Sequence, residues 1–252
     1  MCAFSVAASA ATLRDETLAA WAAYLKGAAA RPWAGESPER ARRIRGGDIV
    51  AVPVGPHSPV KVAGGLIHDW MGAVFLPDAS LDDVLAVVQD YARYKEFYKP
   101  LVVDSRTLEA AGPEFRFSLL TVYNSLFAKR ALAIESKSTY TQIDARHASS
   151  VARSTRIEEI EEYGSAAQRT LPENEGSGYL WRLYSVSRFE RRSGGVIEEM
   201  EVIALSRDVP AALCWLVDPI IRRVSRDSLT TSLSETRTAV QKTLKKNAVR
   251  GL

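Results

Sequence analysis

The chain has 252 residues, 46% hydrophobic and 25% charged, which is the balance of an ordinary folded protein and excludes a disordered or fibrous class. Its 33 basic and 30 acidic residues are interleaved and leave a formal charge of +3, too small an imbalance to call for nucleic acid as a partner. Cys2 and Cys214 are the only cysteines, so neither a disulfide framework nor zinc-ligand spacing is present.

In chain order, "MCAFSVAASAA" (1–11) has the apolar stretch and the Ala8-Ser9-Ala10 pattern of a truncated signal peptide, without the charged n-region. If it is one, the protein is periplasmic or secreted; otherwise it is cytoplasmic. Residues 12–30 read as a helix with Leu18, Trp21 and Leu25 on one stripe. A short helix follows in "SPERARRIR", with Ser37 as N-cap and Pro38 as first helical residue. "GGDIVAVPVGPHSPVKVAGG" (46–65) is broken by Pro and Gly and reads as edge strands or an ordered linker.

From Leu66 the texture changes. "LIHDWMGAVFLP" reads as a strand, and "DASLDDVLAVVQDYARYKEFYKP" as a helix with Ser80 as N-cap, Asp83 as its capping-box partner, and a second short turn over Tyr94 to Tyr98. Strands are expected at 101–110, 114–124, 129–143, 149–163, 179–191 and 196–206, with a surface loop between the fourth and fifth. Asp208 opens a short helical segment. Asp218-Pro219 starts a long helix whose stripe is Ile220, Val224, Leu229, Leu233, Thr236 and Val240. No run reaches the roughly 20 apolar residues of a membrane-spanning helix. His57, His68 and His147 lack the spacing of a helical metal pair, so no metal or cofactor is expected.

This order gives an α+β fold: a curved antiparallel sheet wrapped around a long C-terminal helix, with an extra N-terminal helical segment. The expected division is 1–11 as the signal-like segment, 12–64 as appendage and linker, and 65–246 as the main domain. The sequence sets no oligomeric state.

The wording "GGLIHDWMGAVFLP", "DYARYKEFYKP" and "GYLWRLYSVSRFERRSGGVIEEMEVIALSRDVP", in that order, resembles the START-like (SRPBCC) superfamily, as a bacterial-type member. The resemblance covers about residues 65–245. It implies the helix-grip fold and a deep hydrophobic cavity, which in different members binds lipids, sterols, polyketides or plant hormones. Some members are cyclases or carry an oxygenase iron. The absence of a His/His/carboxylate set in this sequence counts against the iron-bearing branch.

A two-residue Ser193-Gly194 turn would set Arg192 opposite Gly195 and Arg188 opposite Glu199. One face of that hairpin then carries the charges, with Arg188 and Glu199 as a cross-strand ion pair. The other carries Trp181, Leu183, Ser185, Ser187 and Phe189 opposite Ser206, Ala204, Val202, Met200 and Glu198. Tyr184, Val186, Ile203 and Leu205 on the charged face call for a cover, which the N-terminal helix can supply. In strand 114–124 the inward set is Phe115, Phe117, Leu119 and Tyr123.

The candidate ligand-binding residues are therefore Phe117, Leu119, Tyr123, Trp181, Leu183, Ser185, Ser187, Phe189, Met200, Val202, Ile220 and Val224, with Glu198 as a further polar group. The expected partner is an apolar small molecule, lipid-like or polyketide-like, bound without catalysis. Two alternatives stay open: a cyclase/aromatase-like enzyme using Glu198 or His68 for proton transfer, and a protein-interaction module with a filled core.

Overall fold

Alternation from Gly65 onward becomes one antiparallel sheet. The computed structural model describes residues 3–28, 37–55, 58–124, 129–177, 180–208 and 214–250. The elements are α1 (Ala3–Ala28), α2 (Pro38–Arg45), β1 (Val50–Pro53), β2 (Val60–Val62), β3 (Gly65–Pro77), α3 (Leu81–Val88), α4 (Tyr94–Phe97), β4 (Val102–Ala111), β5 (Glu114–Asn124), β6 (Lys129–Gln142), β7 (His147–Glu161), β8 (Arg169–Thr170), β9 (Arg182–Arg192), β10 (Gly195–Arg207) and α5 (Cys214–Arg250). The strands run in the order β1-β3-β10-β9-β7-β6-β5-β4, and β2 and β8 add short pairings to β3 and β7.

Local signals account for several of these elements. Ser80 and Asp83 form the capping box: the Ser80 hydroxyl accepts from the Asp83 N–H, and the Asp83 carboxylate accepts from the Ser80 N–H at 2.9 Å. Ser37 caps α2, with Pro38 as its first residue. The β9–β10 hairpin closes on Ser193-Gly194, with Gly194 at the second central position taking a positive φ of 79°, which a glycine adopts without a Cβ clash. Its register is the expected one, with Arg188 opposite Glu199 and Phe189 opposite Glu198.

Four expectations need correction. α1 begins well before residue 12, because 3–11 is rich in alanine and propagates the helix. The helix that starts at the Ser80 cap ends at Val88 as α3 and is followed by a 3-10 turn (Tyr91–Arg93), while the second short turn expected over Tyr94 to Tyr98 is α4. The expected surface loop contains the short strand β8. α5 starts at Cys214 and leaves Pro219 in its second turn, where one intrahelical hydrogen bond is forfeited. Most of the helical segment expected after Asp208 lies outside the described residues.

The sheet has two different faces. On one, α5 lies against β3 through Leu229 and Leu233, joined by Trp70, Val74, Leu76 and the α3 residues Val84, Val87 and Val88. Gly72 makes this approach fit: a Cβ there would sit 2.8 Å from Leu233 Cδ1 and 3.0 Å from Leu229 Cδ2. On the other face α1 covers the strands, packing Leu18, Trp21, Tyr24 and Leu25 against Ile67, Ile203, Leu205 and Tyr184. Tyr24 Oη donates to Asp69 Oδ2 at 2.8 Å, and the Thr17 hydroxyl donates to the Ala63 carbonyl. Ile44 of α2 extends this cover over Val50, Ala73, Phe75 and Ile197. These contacts explain the apolar residues on the charged face. They also revise the expected surface ion pair: Arg188 Nη1 and Glu199 Oε1 are 3.1 Å apart, and both residues are buried.

Candidate functional site

Between the sheet and α5 the packing does not close. A cavity of about 730 Å³ remains, within the usual size range for small-molecule sites. Its floor is β5, β6, β7, β9 and β10; its roof is the first half of α5, with Val224, Ser225, Ser228, Leu229 and Ser232. The core is therefore not filled as the interaction-module alternative expected, and Ser185 and Ser187 in the middle of β9 border the space.

Of the expected residues, Phe117, Leu119, Leu183, Ser185, Ser187, Phe189, Met200, Val202 and Val224 line this cavity, together with Glu198, Ala204 and Ser206. Trp181 does not. Its backbone N–H donates to the Leu205 carbonyl at 2.7 Å, one residue out of step with the Arg182–Leu205 pairing. That extra residue acts as a bulge and carries Trp181 to the outer cluster beside Trp21 and Ile67. The side chains of Tyr123 and Ile220 lie outside the described residues.

One end of the cavity is built from tyrosines. Tyr91, Tyr94 and Tyr98 arrive from the segment after α3, and Tyr140 from β6. Tyr91 stacks on Phe117 with ring centroids 3.8 Å apart. The hydroxyl protons can be assigned in turn. Tyr94 and Tyr140 donate to the Val88 carbonyl at 2.6 and 2.8 Å, serving the free C-terminal carbonyl of α3. Tyr140 is then the acceptor from Tyr91 at 2.9 Å, which leaves Ser138 to donate to Tyr91 at 2.7 Å. Thr236 donates to the Ser232 carbonyl, so Tyr98 donates to Thr236 Oγ1 at 3.0 Å. Burial raises all four tyrosine pKa values.

Every tyrosine proton at that end is therefore committed, and Glu198 receives none of them. Both of its carboxylate oxygens are buried without a hydrogen-bond partner. Burial in this environment pushes its pKa from 4.5 up to about 8, so the side chain is mostly a neutral acid at pH 7. Roughly 27 Å along β10, at about 3.4 Å per residue, Ser206 Oγ lies 2.8 Å from His68 Nε2. Arg153, Arg207 and Asp208 edge this other end, where Asp208 pairs with Lys61 at 3.1 Å.

Between the two ends, serine hydroxyls face each other across the space. Ser136, Ser150, Ser185 and Ser187 stand on the sheet and Ser225, Ser228 and Ser232 on α5. None of these hydroxyls bonds to another described residue. Among the described residues no three His, Cys, Asp or Glu side chains are grouped as metal ligands would be. Nor is any described helix long and apolar enough to cross a membrane.

The tyrosine cluster and the α5 serines were not among the sequence-derived candidates. Tyr91, Tyr94 and Tyr98 do carry a signal, since they fall at i, i+3 and i+7, as do Ser225, Ser228 and Ser232 beside the leucine stripe.

No protein-family model and no curated sequence matches the chain. Solved structures do. TTHA0849 from Thermus thermophilus is 10% identical with a TM-score of 0.50, the match covering 69% of this chain and 97% of that one. A STAR-related lipid transfer protein from Xanthomonas axonopodis is 17% identical with a TM-score of 0.45, over 77% of this chain and 98% of that one. The di-domain ARO/CYC StfQ of the steffimycin biosynthetic pathway is 15% identical with a TM-score of 0.47, over 71% of this chain and 52% of that one. A long helix held against a curved antiparallel sheet, with a cavity between them, is the helix-grip arrangement, and that is the fold of this chain.

Proposed function

We propose that the protein binds and carries a hydrophobic small molecule, lipid-like or polyketide-like, in the cavity between the sheet and α5, without catalysis. The observation that carries this reading is the cavity itself: about 730 Å³ of space whose exposed lining is mostly apolar. Phe117, Leu119, Leu183, Phe189, Met200, Val202 and Val224 supply the apolar walls, and Ser185 and Ser187 orient the ligand. Burying an apolar molecule there gains about 25 cal/mol for each Å² removed from water.

Native mass spectrometry of the purified protein, followed by denaturing extraction, tests this reading. A stoichiometric apolar passenger released chemically intact is the expected result. A mass equal to the bare chain, together with no binding of fatty acids, sterols or aromatic polyketides added back, refutes it.

A second reading, a cyclase/aromatase-like enzyme in the same cavity, is supported by Glu198. A buried carboxyl with a pKa of about 8 is suited to giving or taking a proton near neutral pH. Conversion of an added polyketone chain that disappears in Glu198→Gln would favour this reading over carriage.

A further inference from the structure

The two walls of the cavity carry more hydrogen-bonding capacity than an acyl chain can use. On the sheet, Ser150 and Ser187 are direct cross-strand partners, Ser185 lies two residues along β9 on the same face, and Ser136 stands on the next strand, β6. Neighbouring strands are about 4.8 Å apart and alternate residues about 6.7 Å apart, so Ser150, Ser185 and Ser187 form a grid at that spacing, while Ser136, opposite Ser154, stands further along the cavity. Ser228 and Ser232 face it from one side of α5.

Three of the hydroxyls, on Ser136, Ser150 and Ser187, belong to side chains more than nine-tenths buried, and none bonds to another described residue. Their oxygens face the open cavity, so a ligand that fills it must either pair with them or shut them away from water at the cost of desolvating each group.

We infer that the ligand is a rigid, polyoxygenated ring system, lying between the sheet and α5 with hydroxyl or carbonyl groups along both edges. This rests on the proposed binding of a hydrophobic small molecule and narrows its class. A fused aromatic skeleton has two broad apolar faces for Leu183, Val202 and Val224, while its ring oxygens recur at the few-ångström spacing of the serine grid. A saturated chain has apolar surface but no oxygen to offer Ser150 or Ser187 midway along the cavity. Seating it would shut those hydroxyls away from water without a partner. A ring ligand that bonds to them gains selectivity from the same groups, because an analogue lacking its oxygens leaves the hydroxyls unpaired.

The test uses the full chain and three probes, quercetin, flavone and palmitic acid, titrated by quenching of intrinsic fluorescence and by calorimetry. Quercetin and flavone share a skeleton and differ in their hydroxyl groups. Quercetin is expected to bind at least about tenfold more tightly than flavone. In the triple variant Ser150→Ala, Ser185→Ala, Ser187→Ala that ratio falls toward one, and an unchanged circular dichroism spectrum and urea midpoint separate lost hydrogen bonds from a lost fold. Should the triple variant unfold, the single variant Ser187→Ala is expected to lower the ratio by about threefold. Equal affinity for quercetin and flavone overturns the inference, as does a preference that survives in the variants. Tight palmitate binding with neither flavonoid bound overturns it while leaving the hydrophobic cavity site intact. Binding of none of the three overturns it together with the reading on which it rests.

Discussion

Replacing Glu198 by Gln removes an ionisable group while keeping its shape, and the effect on stability is expected to depend on pH. Burial raises the folded-state pKa from 4.5 to about 8, so between these values the folded protein holds a proton that the unfolded chain has released. The stability contributed by this group is therefore complete below about pH 4.5, falls as pH rises, and levels off above about pH 8. Each pH unit in that window is worth about 1.4 kcal/mol, so the wild type loses about 3 kcal/mol by pH 7 and about 4 kcal/mol by pH 8, where the folded-state group is half ionised. Glutamine has no such slope. A constant cost of burying the amide shifts the whole variant curve and leaves the difference in slope untouched. Tyr91, Tyr94, Tyr98 and Tyr140, whose pKa values are all raised, stay neutral throughout the window and do not obscure it. Urea denaturation of both proteins at about pH 5, 7 and 8 reads the effect directly. The variant should gain on the wild type by several kcal/mol across the series. Parallel stability curves would show that the carboxyl is solvated or partnered, and the argument from committed tyrosine protons would fail.

Other consequences can be measured alongside. Gly72→Val puts a side chain into the contact between β3 and Leu229 and Leu233 of α5; it should cost about 2 kcal/mol by denaturant titration. Trp21→Ala removes the centre of the α1 cover on the outer face and should destabilise by about 3 kcal/mol in urea. Arg188→Ala leaves Glu199 buried without this ion-pair partner, and a loss of about 3 kcal/mol in thermal and urea unfolding is expected.

Much of the fold was readable where the determinants are local. The Ser193-Gly194 turn has two central residues, and that count alone sets every pairing from Arg192–Gly195 to Arg182–Leu205. It also decides that Ser185 and Ser187 face the cavity while Arg188 and Glu199 do not. Ser80 and Asp83 likewise declare their helix start three residues apart. Trp181 was misplaced because a bulge breaks the period of two, and nothing in its neighbours' side chains announces one. The burial of Arg188 and Glu199 escaped sequence reading since it depends on the rest of the chain folding over the outer face. The condition of Glu198 was further out of reach. It follows from where four tyrosine protons go, and those tyrosines meet only after β6 has been brought beside the segment following α3.

The two faces of β9 and β10 divide labour residue by residue. Odd and even positions on the same strand answer to different demands: one set is locked under α1 and α2, the other borders empty space. Replacing a residue at the hollow face removes few contacts, so the floor of the cavity can change its chemistry while the backing layer keeps the strands in register. A sheet stiffened from behind is a mould whose inner surface is cheap to recut. Ser185, Ser187, Met200 and Val202 are the positions at which this chain would most readily acquire a new ligand without losing its fold.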